Sequence, residues 1–139
     1  MRFVDSNVFV YAFLKPRRRL SPPEENLKAS AKNIVARINA GENVVTSVVH
    51  LAEIANILED NLRPAECMRI ERALAMNESI DIATVSREVC IAAVGVAEET
   101  GSGMNDAVAR IIMRGRQITE VYSFDKDFDL FQDIKRLVE

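Results

Sequence analysis

Short apolar runs alternate along the chain with longer stretches whose apolar residues recur every three or four positions. The opening "MRFVD" carries Phe3 and Val4 into a polar break at Asp5, and apolar residues resume at once in "SNVFVYAF". Residues 1–5 read as a short buried strand and 6–13 as a short helix after a polar turn. The stretch "KPRRRLSPPEEN" at 15–26 holds three of the four prolines and reads as a loop. Within it, Ser21 followed by Pro22, Pro23, Glu24 and Glu25 is a helix start with acids in the first turn. Leu27, Ala31, Ile34, Val35 and Ile38 keep helical spacing, and Gly41 ends that helix. "NVVTS" at 43–47 is a second strand, 47–60 a helix, and Pro64 suits the first turn of a helix over 64–77. "SIDIATVS" at 79–86 alternates like a strand. Helices follow over 86–100, closed by "TGSG", and over 105–116. "ITEVYSFD" at 118–125 is the last clear strand, with a short helical stretch from about 126.

Strands that alternate with helices imply an α/β fold, a three-layer α/β/α sandwich around a mainly parallel sheet. Residues 1–139 read as one domain with no internal repeat. Hydrophobic residues at 48% and charged residues at 28% are ordinary for a globular protein. No apolar run reaches the roughly 18 residues that span a bilayer, so no membrane partner is expected. Asp5 interrupts the first apolar run too early for a signal peptide, and a cytoplasmic location is the expectation. Cys67 and Cys90 fall in separate helical segments and read as buried thiols rather than a disulfide or a zinc site. The net charge of −3 gives no global basic field for nucleic acid. Positive charge is clustered instead, in "KPRRR" at 15–19 and at Arg110, Arg114 and Arg116.

The acids concentrate at element junctions. Asp5 ends the first strand, Asp106 opens a helix after a Gly-rich turn in "TGSGMNDAVARII", and Asp125 ends the last strand in "VYSFDKDF". Ligands of parallel sheets bind at the carboxyl ends of the strands, near the point where strand order reverses. Glu53 joins these three from the 47–60 helix. Converging carboxylates repel one another unless a cation lies between them. An oxygen donor set without a histidine cluster fits Mg²⁺ or Mn²⁺ better than zinc. Such an ion acidifies water and neutralises charge that builds on a phosphate, which is what phosphodiester hydrolysis requires. Each acid also fits a plainer role. Asp106 suits a helix cap or first turn, Asp125 with Lys126 and Asp127 suits turn chemistry, and Glu53 suits the wet stripe of His50, Glu53, Asn56 and Asp60. Asp5 is hardest to explain that way, because an acid at the end of a buried strand is costly without a partner. The lone histidine, His50, reads as a helix-surface or packing residue.

"FVDSNVFVYAF", "VTSVVHLAEIANIL", "GMNDAVARII" and "VYSFDKDFDLF", in that order, resemble the PIN-domain family of metal-dependent ribonucleases, and among them the VapC-type toxins of toxin–antitoxin pairs. The resemblance spans nearly the whole chain. It implies that Asp5, Glu53, Asp106 and Asp125 are the catalytic, metal-binding acids, with Asp127 an ambiguous neighbour of Asp125. It implies that Asn7 and Ser123 orient ligands or the attacking water, and Thr46 and Ser47 are candidates for the same work. The expected activity is RNA hydrolysis dependent on Mg²⁺ or Mn²⁺, leaving a 5′-phosphate and a 3′-hydroxyl. The expected partners are the RNA substrate, a small cognate antitoxin and a second copy of the chain.

The 15–26 loop is longer and more basic than this family requires. Arg17 and Arg18 there, with Arg110 and Arg114 one turn apart on the later helix, are candidate substrate contacts, and they also fit a solvated loop and a wet helix face. The apolar helices at 47–60 and 64–77 are candidates for a dimer or antitoxin surface, and equally for plain core. Two rivals stand beside the nuclease. A haloacid-dehalogenase-like phosphohydrolase or phospho-receiver also places an Asp at a strand end, but the phosphohydrolase wants a second Asp where Asn7 stands. A catalytically silent PIN-like binding module would not need all four acids.

Overall fold

Five parallel strands form one sheet in the order β3-β2-β1-β4-β5, with helices on both faces. The computed structural model describes residues 1–139 in full. The strands are β1 (Arg2–Val4), β2 (Val44–Ser47), β3 (Ile80–Ala83), β4 (Glu120–Tyr122) and β5 (Lys135–Leu137). The helices are α1 (Ser6–Phe13), α2 (Pro22–Asn39), α3 (Val48–Asn61), α4 (Pro64–Met76), α5 (Arg87–Thr100) and α6 (Met104–Gly115), with a 3₁₀ turn over Lys126–Leu130.

Local chemistry sets most of these boundaries. Ser21 and Glu24 close a reciprocal capping box around Pro22, so α2 starts inside the proline-rich stretch. Ser47 and Ser86 cap α3 and α5 through their hydroxyls. Gly101 takes φ +78° to end α5, a conformation that needs no Cβ, and this lets α6 begin three residues later. β1 lies at the middle of the sheet, and its alternation decides which core each residue enters. Phe3 joins Val45, Val108, Met113 and Phe128 under α5 and α6. Val4 joins Phe9, Ile34, Ile54, Leu58 and Tyr122 under α1 to α4. With both faces covered, the strands are nearly continuous in apolar residues, as buried parallel strands are.

From β1 the chain steps outward through β2 to β3, then crosses back to place β4 on the other side of β1. Strand order therefore reverses between β1 and β4, and a crevice opens beyond their carboxyl ends.

The observed strands are shorter than their apolar runs. β3 covers half of 79–86, and the 118–125 strand pairs only over Glu120–Tyr122 before turning into the 3₁₀ segment. β5 was not expected from sequence. Its three residues, Lys135, Arg136 and Leu137, carry no alternation long enough to register, and it exists because the exposed side of β4 offers free backbone partners. Its charges suit an edge strand, where they discourage further pairing. His50 is wholly buried rather than on the helix surface, and packs edge-on against Phe3 with ring centroids 5.0 Å apart. Both cysteines are free thiols, Cys67 buried and Cys90 only half-buried. No helix is long and apolar enough to cross a membrane.

Candidate active site

Asp5 is the residue on which β1 ends and α1 begins. It caps α1, with Oδ1 accepting from the Ser6 N–H at 2.9 Å. Its other oxygen accepts from Ser123 Oγ, 2.7 Å away at the end of β4. Thus the two strands that flank the reversal of sheet order are tied together at their ends by this acid. Ser123 Oγ also accepts from the Asp125 N–H at 3.0 Å and from Asn7 Nδ2 at 3.4 Å. Asn7 Oδ1 completes the knot by accepting from the Phe124 N–H at 3.3 Å.

Glu53 reaches the same crevice from the second turn of α3. Ser6 Oγ donates to its Oε1 at 2.6 Å, and Asn105 Nδ2 donates to its Oε2. Asp106 arrives from the first turn of α6, whose N-terminus follows the Gly101–Gly103 turn. Gly103 supplies no side-chain cap, so the cap reading of Asp106 gives way to a first-turn position. Asp125 caps the 3₁₀ segment by accepting from the Asp127 N–H at 2.9 Å. It therefore does perform turn chemistry, and it faces the other acids as well.

Asp5, Asn7, Glu53, Asn105, Asp106, Asp125 and Asp127 together line an open cleft of about 480 Å³. Carboxylate oxygens of Asp106, Asp125 and Asp127 lie within 4.8 Å of one another, close enough to share one cation. Asp127, ambiguous in sequence, thus belongs with Asp125 in the cluster.

The electrostatics record the strain of this crowd. Burial pushes the Asp5 carboxyl up to about 6, against the opposing donation from Ser123, and Glu53 and Asp125 add to the rise. Asp106 is pushed up to about 8, first by burial and then by the charges of Asp5, Asp125, Asp127 and Glu53. Groups in this state favour either a proton or a cation. With every donor a hard oxygen, the cluster fits a divalent ion of the magnesium type better than a soft metal.

Other residues singled out in sequence lie elsewhere. Ser47 is buried but reaches His50 Nδ1, at 2.6 Å, and none of the acids. Thr46 Oγ1 donates to the Val4 carbonyl at 2.9 Å and braces β2 against β1. Arg110 and Arg114 do share a face, on which both grip Asp133, at 3.0 and 2.6 Å, and Arg110 stacks over the Phe131 ring. Arg18 forms a two-pronged pair with Glu24, while Arg17 extends from the loop to the Asn61 carbonyl at 3.4 Å. None of these four arginines lines the acidic cleft. Conversely, Ser6 and Asn105, which hold both oxygens of Glu53, went unremarked in sequence. Their only signal was adjacency, each standing beside a junction acid in "DSN" and "MND".

Among the solved structures that share this fold are a bacterial toxin and a toxin–antitoxin complex. The Mycobacterium tuberculosis VapC20, a sarcin-ricin loop cleaving toxin, aligns with a TM-score of 0.72 and 20% identity over 93% of each chain. A toxin–antitoxin complex from Klebsiella pneumoniae aligns with a TM-score of 0.67 and 15% identity, over 97% of this chain and 96% of that one. A comparison with curated proteins found no match. The family model of the PIN domain matches residues 2–134, nearly the whole length, and the chain belongs to the PIN domain family.

Proposed function

We propose that this protein is a metal-dependent endoribonuclease and the toxin of a toxin–antitoxin pair. The observation that carries the reading is the meeting of Asp5, Glu53, Asp106, Asp125 and Asp127, drawn from four separate parts of the chain, in one cleft at the reversal of sheet order. A structural acid needs no company, whereas five carboxylates in one cleft are mutually destabilising unless a cation is shared or a proton taken up. The related fold of a sarcin-ricin loop cleaving toxin supports RNA as the substrate, and that of a toxin–antitoxin complex supports a small antitoxin as partner.

In this reading Asp106, Asp125 and Asp127 would hold Mg²⁺ or Mn²⁺, with Asp5 and Glu53 as the further acids of the cleft. The chemistry such an ion would supply is acidification of water and neutralisation of charge on the scissile phosphate. On loading, Asp106 would give up the proton that burial and its acidic neighbours let it keep near neutral pH. Ser123 and Asn7 hold Asp5 and the start of the Asp125 turn in register. Ser6 and Asn105 do the same for Glu53. Of the four candidate arginines, Arg17, loosely held on the exposed loop, is the freest to meet RNA phosphates. Arg18, Arg110 and Arg114 would first have to leave Glu24 and Asp133.

A second copy of the chain is proposed as a further partner. Both apolar readings of α3 and α4 have a place in it: Ile54, Leu58, Cys67, Ile70 and Leu74 are core, while Val48 and Met68 stay exposed along a shallow groove. The phosphohydrolase reading is not favoured. Position 7 is Asn, and its amide is engaged by Ser123 and the Phe124 backbone.

The test is cleavage of a labelled structured RNA in EDTA, then in Mg²⁺ or Mn²⁺, beside Asp5→Asn prepared identically. Metal-dependent cutting that vanishes in the variant, with 5′-phosphate ends, is the expected result. Equal cutting by both proteins, or cutting in EDTA, would overturn the reading.

A further inference from the structure

One buried polar atom beside the cleft has no partner. His50 is fully buried in α3, one turn before Glu53, and its Nε2 makes no hydrogen bond. The two groups that face this nitrogen are both acceptors. Asp5 Oδ1 lies 3.9 Å away, outside hydrogen-bond range, and the main-chain carbonyl of Asn105 acts on the ring as an acceptor. On the other side of the ring, Nδ1 is 2.6 Å from Ser47 Oγ.

These contacts decide where the imidazole proton sits. Ser47 Oγ accepts from the main-chain N–H of His50 at 3.2 Å, and the acceptor within reach of its own proton is Nδ1. The proton of a neutral ring then sits on Nε2. The opposite tautomer would aim a bare lone pair at a carboxylate and a carbonyl, and would leave the Ser47 proton without an acceptor. Phe3, packed edge-on at 5.0 Å, fixes the plane of the ring.

We propose that His50 is a positioning residue of the acidic cleft: held in the Nε2–H form by Ser47, it turns its N–H toward the Asn105 carbonyl and Asp5 Oδ1, and so orients α3 against the start of α6 and the end of β1. No proton is transferred. The imidazole N–H supplies directed positive charge to the oxygen of Asp5 that Ser123 does not hold. It also faces the backbone of Asn105, the residue that secures Glu53 and precedes Asp106. Through His50, the Ser47 hydroxyl acts on the acids without touching them. The part of this inference that concerns metal affinity rests on the reading of the cleft as a metal site; the placement of the proton does not.

The experiment has two arms. Long-range ¹H–¹⁵N correlation on the metal-free protein reads the tautomer of its single imidazole directly. The expected result is a dominant Nε2–H ring in the wild type and a mixture in Ser47→Ala. A dominant Nδ1–H ring in the wild type would overturn the proposal. The second arm measures Mn²⁺ affinity by calorimetry for wild type, His50→Gln and His50→Leu. Loss of an oriented partner behind a ligand weakens metal binding ~10-fold or more, so His50→Leu should lose about that much, while His50→Gln, which keeps an N–H near the Nε2 position, stays close to wild type. Equal affinity in all three would reduce His50 to packing. If His50→Leu does not fold, the tautomer and His50→Gln decide. If the wild type binds no Mn²⁺, the metal reading of the cleft fails, and the tautomer still decides the placement of His50.

Discussion

Ser123 donates to Asp5 across 118 positions of sequence, at 2.7 Å, and the same hydroxyl receives the Asp125 N–H. One buried oxygen thereby holds the two strand ends that flank the reversal of sheet order. Its donation is also what most opposes burial in setting the Asp5 carboxyl.

Ser123→Ala should therefore be damaging in two ways. Unpaired buried groups left at Asp5 and the Asp125 turn cost about 1–3 kcal/mol of stability. Misoriented ligands should lower cleavage ~10–100-fold. Thermal melts and single-turnover cleavage check the two effects separately. A lower melting temperature with undiminished cleavage would make the contact purely structural.

Metal-free stability should fall as pH rises from about 6.5 through 8. Asp106, raised to about 8 in the fold from an ordinary 3.8, keeps a proton that the unfolded chain has lost. Its contribution is full below about pH 4 and is lost as pH passes 8. Asp5, raised to about 6, behaves likewise at lower pH. His50 works in the opposite sense: burial lowers it from 6.5 to about 4, so the unfolded chain binds the extra proton there, and stability rises with pH until about 6.5. Above that value Asp106 is the buried group still titrating. Melts in EDTA at pH 6.5, 7.5 and 8.5 should show the decline, and saturating Mn²⁺, which binds the ionised form, should reverse it.

Asp106→Asn should stabilise the metal-free protein while abolishing activity. The amide keeps the shape and never ionises, so it escapes the cost that burial and the charges of Asp5, Asp125, Asp127 and Glu53 place on the carboxylate. A gain of ~1 kcal/mol corresponds to roughly 2–4 °C for a chain near this size. The variant should also lose the pH dependence above 6.5. Unchanged or lowered stability in EDTA would contradict the repulsion inferred here.

Arg17→Ala should weaken RNA binding more than Arg18→Ala. Arg18 is held by Glu24 in a two-pronged pair, whereas Arg17 makes one long contact to the Asn61 carbonyl. Loss of one phosphate contact lowers the slope of log affinity against log salt by about 1. Salt titrations of binding to the Asp5→Asn protein measure this without cleavage. An unchanged slope in Arg17→Ala would return the loop to an ordinary solvated role.

Most of the local structure was legible in the sequence. Runs such as "RFV" and "NVVTS", proline and serine at helix starts, and glycine at helix ends are encoded within a few residues, and the elements formed where those signals lay. The junction acids were legible for a related reason. Asp5 interrupts an apolar run where burial makes charge expensive, and that conflict is visible in one line of sequence.

What pairing and packing decided was not written locally. "KRL" becomes β5 only because β4 presents an open edge. Arg110 and Arg114 were legible as a pair on one helix face, but that face meets Asp133 and not the cleft. Ser47 lies next in sequence to the helix that carries Glu53, yet its hydroxyl points to His50. His50 itself keeps the same helical spacing as exposed Asn56 and Asp60, and only the packing of α3 against Phe3 separates its fate from theirs.

The sequence by itself determined the elements, their alternation and the acids at their ends, because periodicity, capping and the cost of a buried charge act over a few neighbouring residues. Tertiary structure alone decided the order of the strands, and with it that Asp5, Glu53, Asp106 and Asp125 share one cleft. Those contacts join residues as many as 118 positions apart. They depend on how two cores close over one sheet, which no short stretch of the chain encodes.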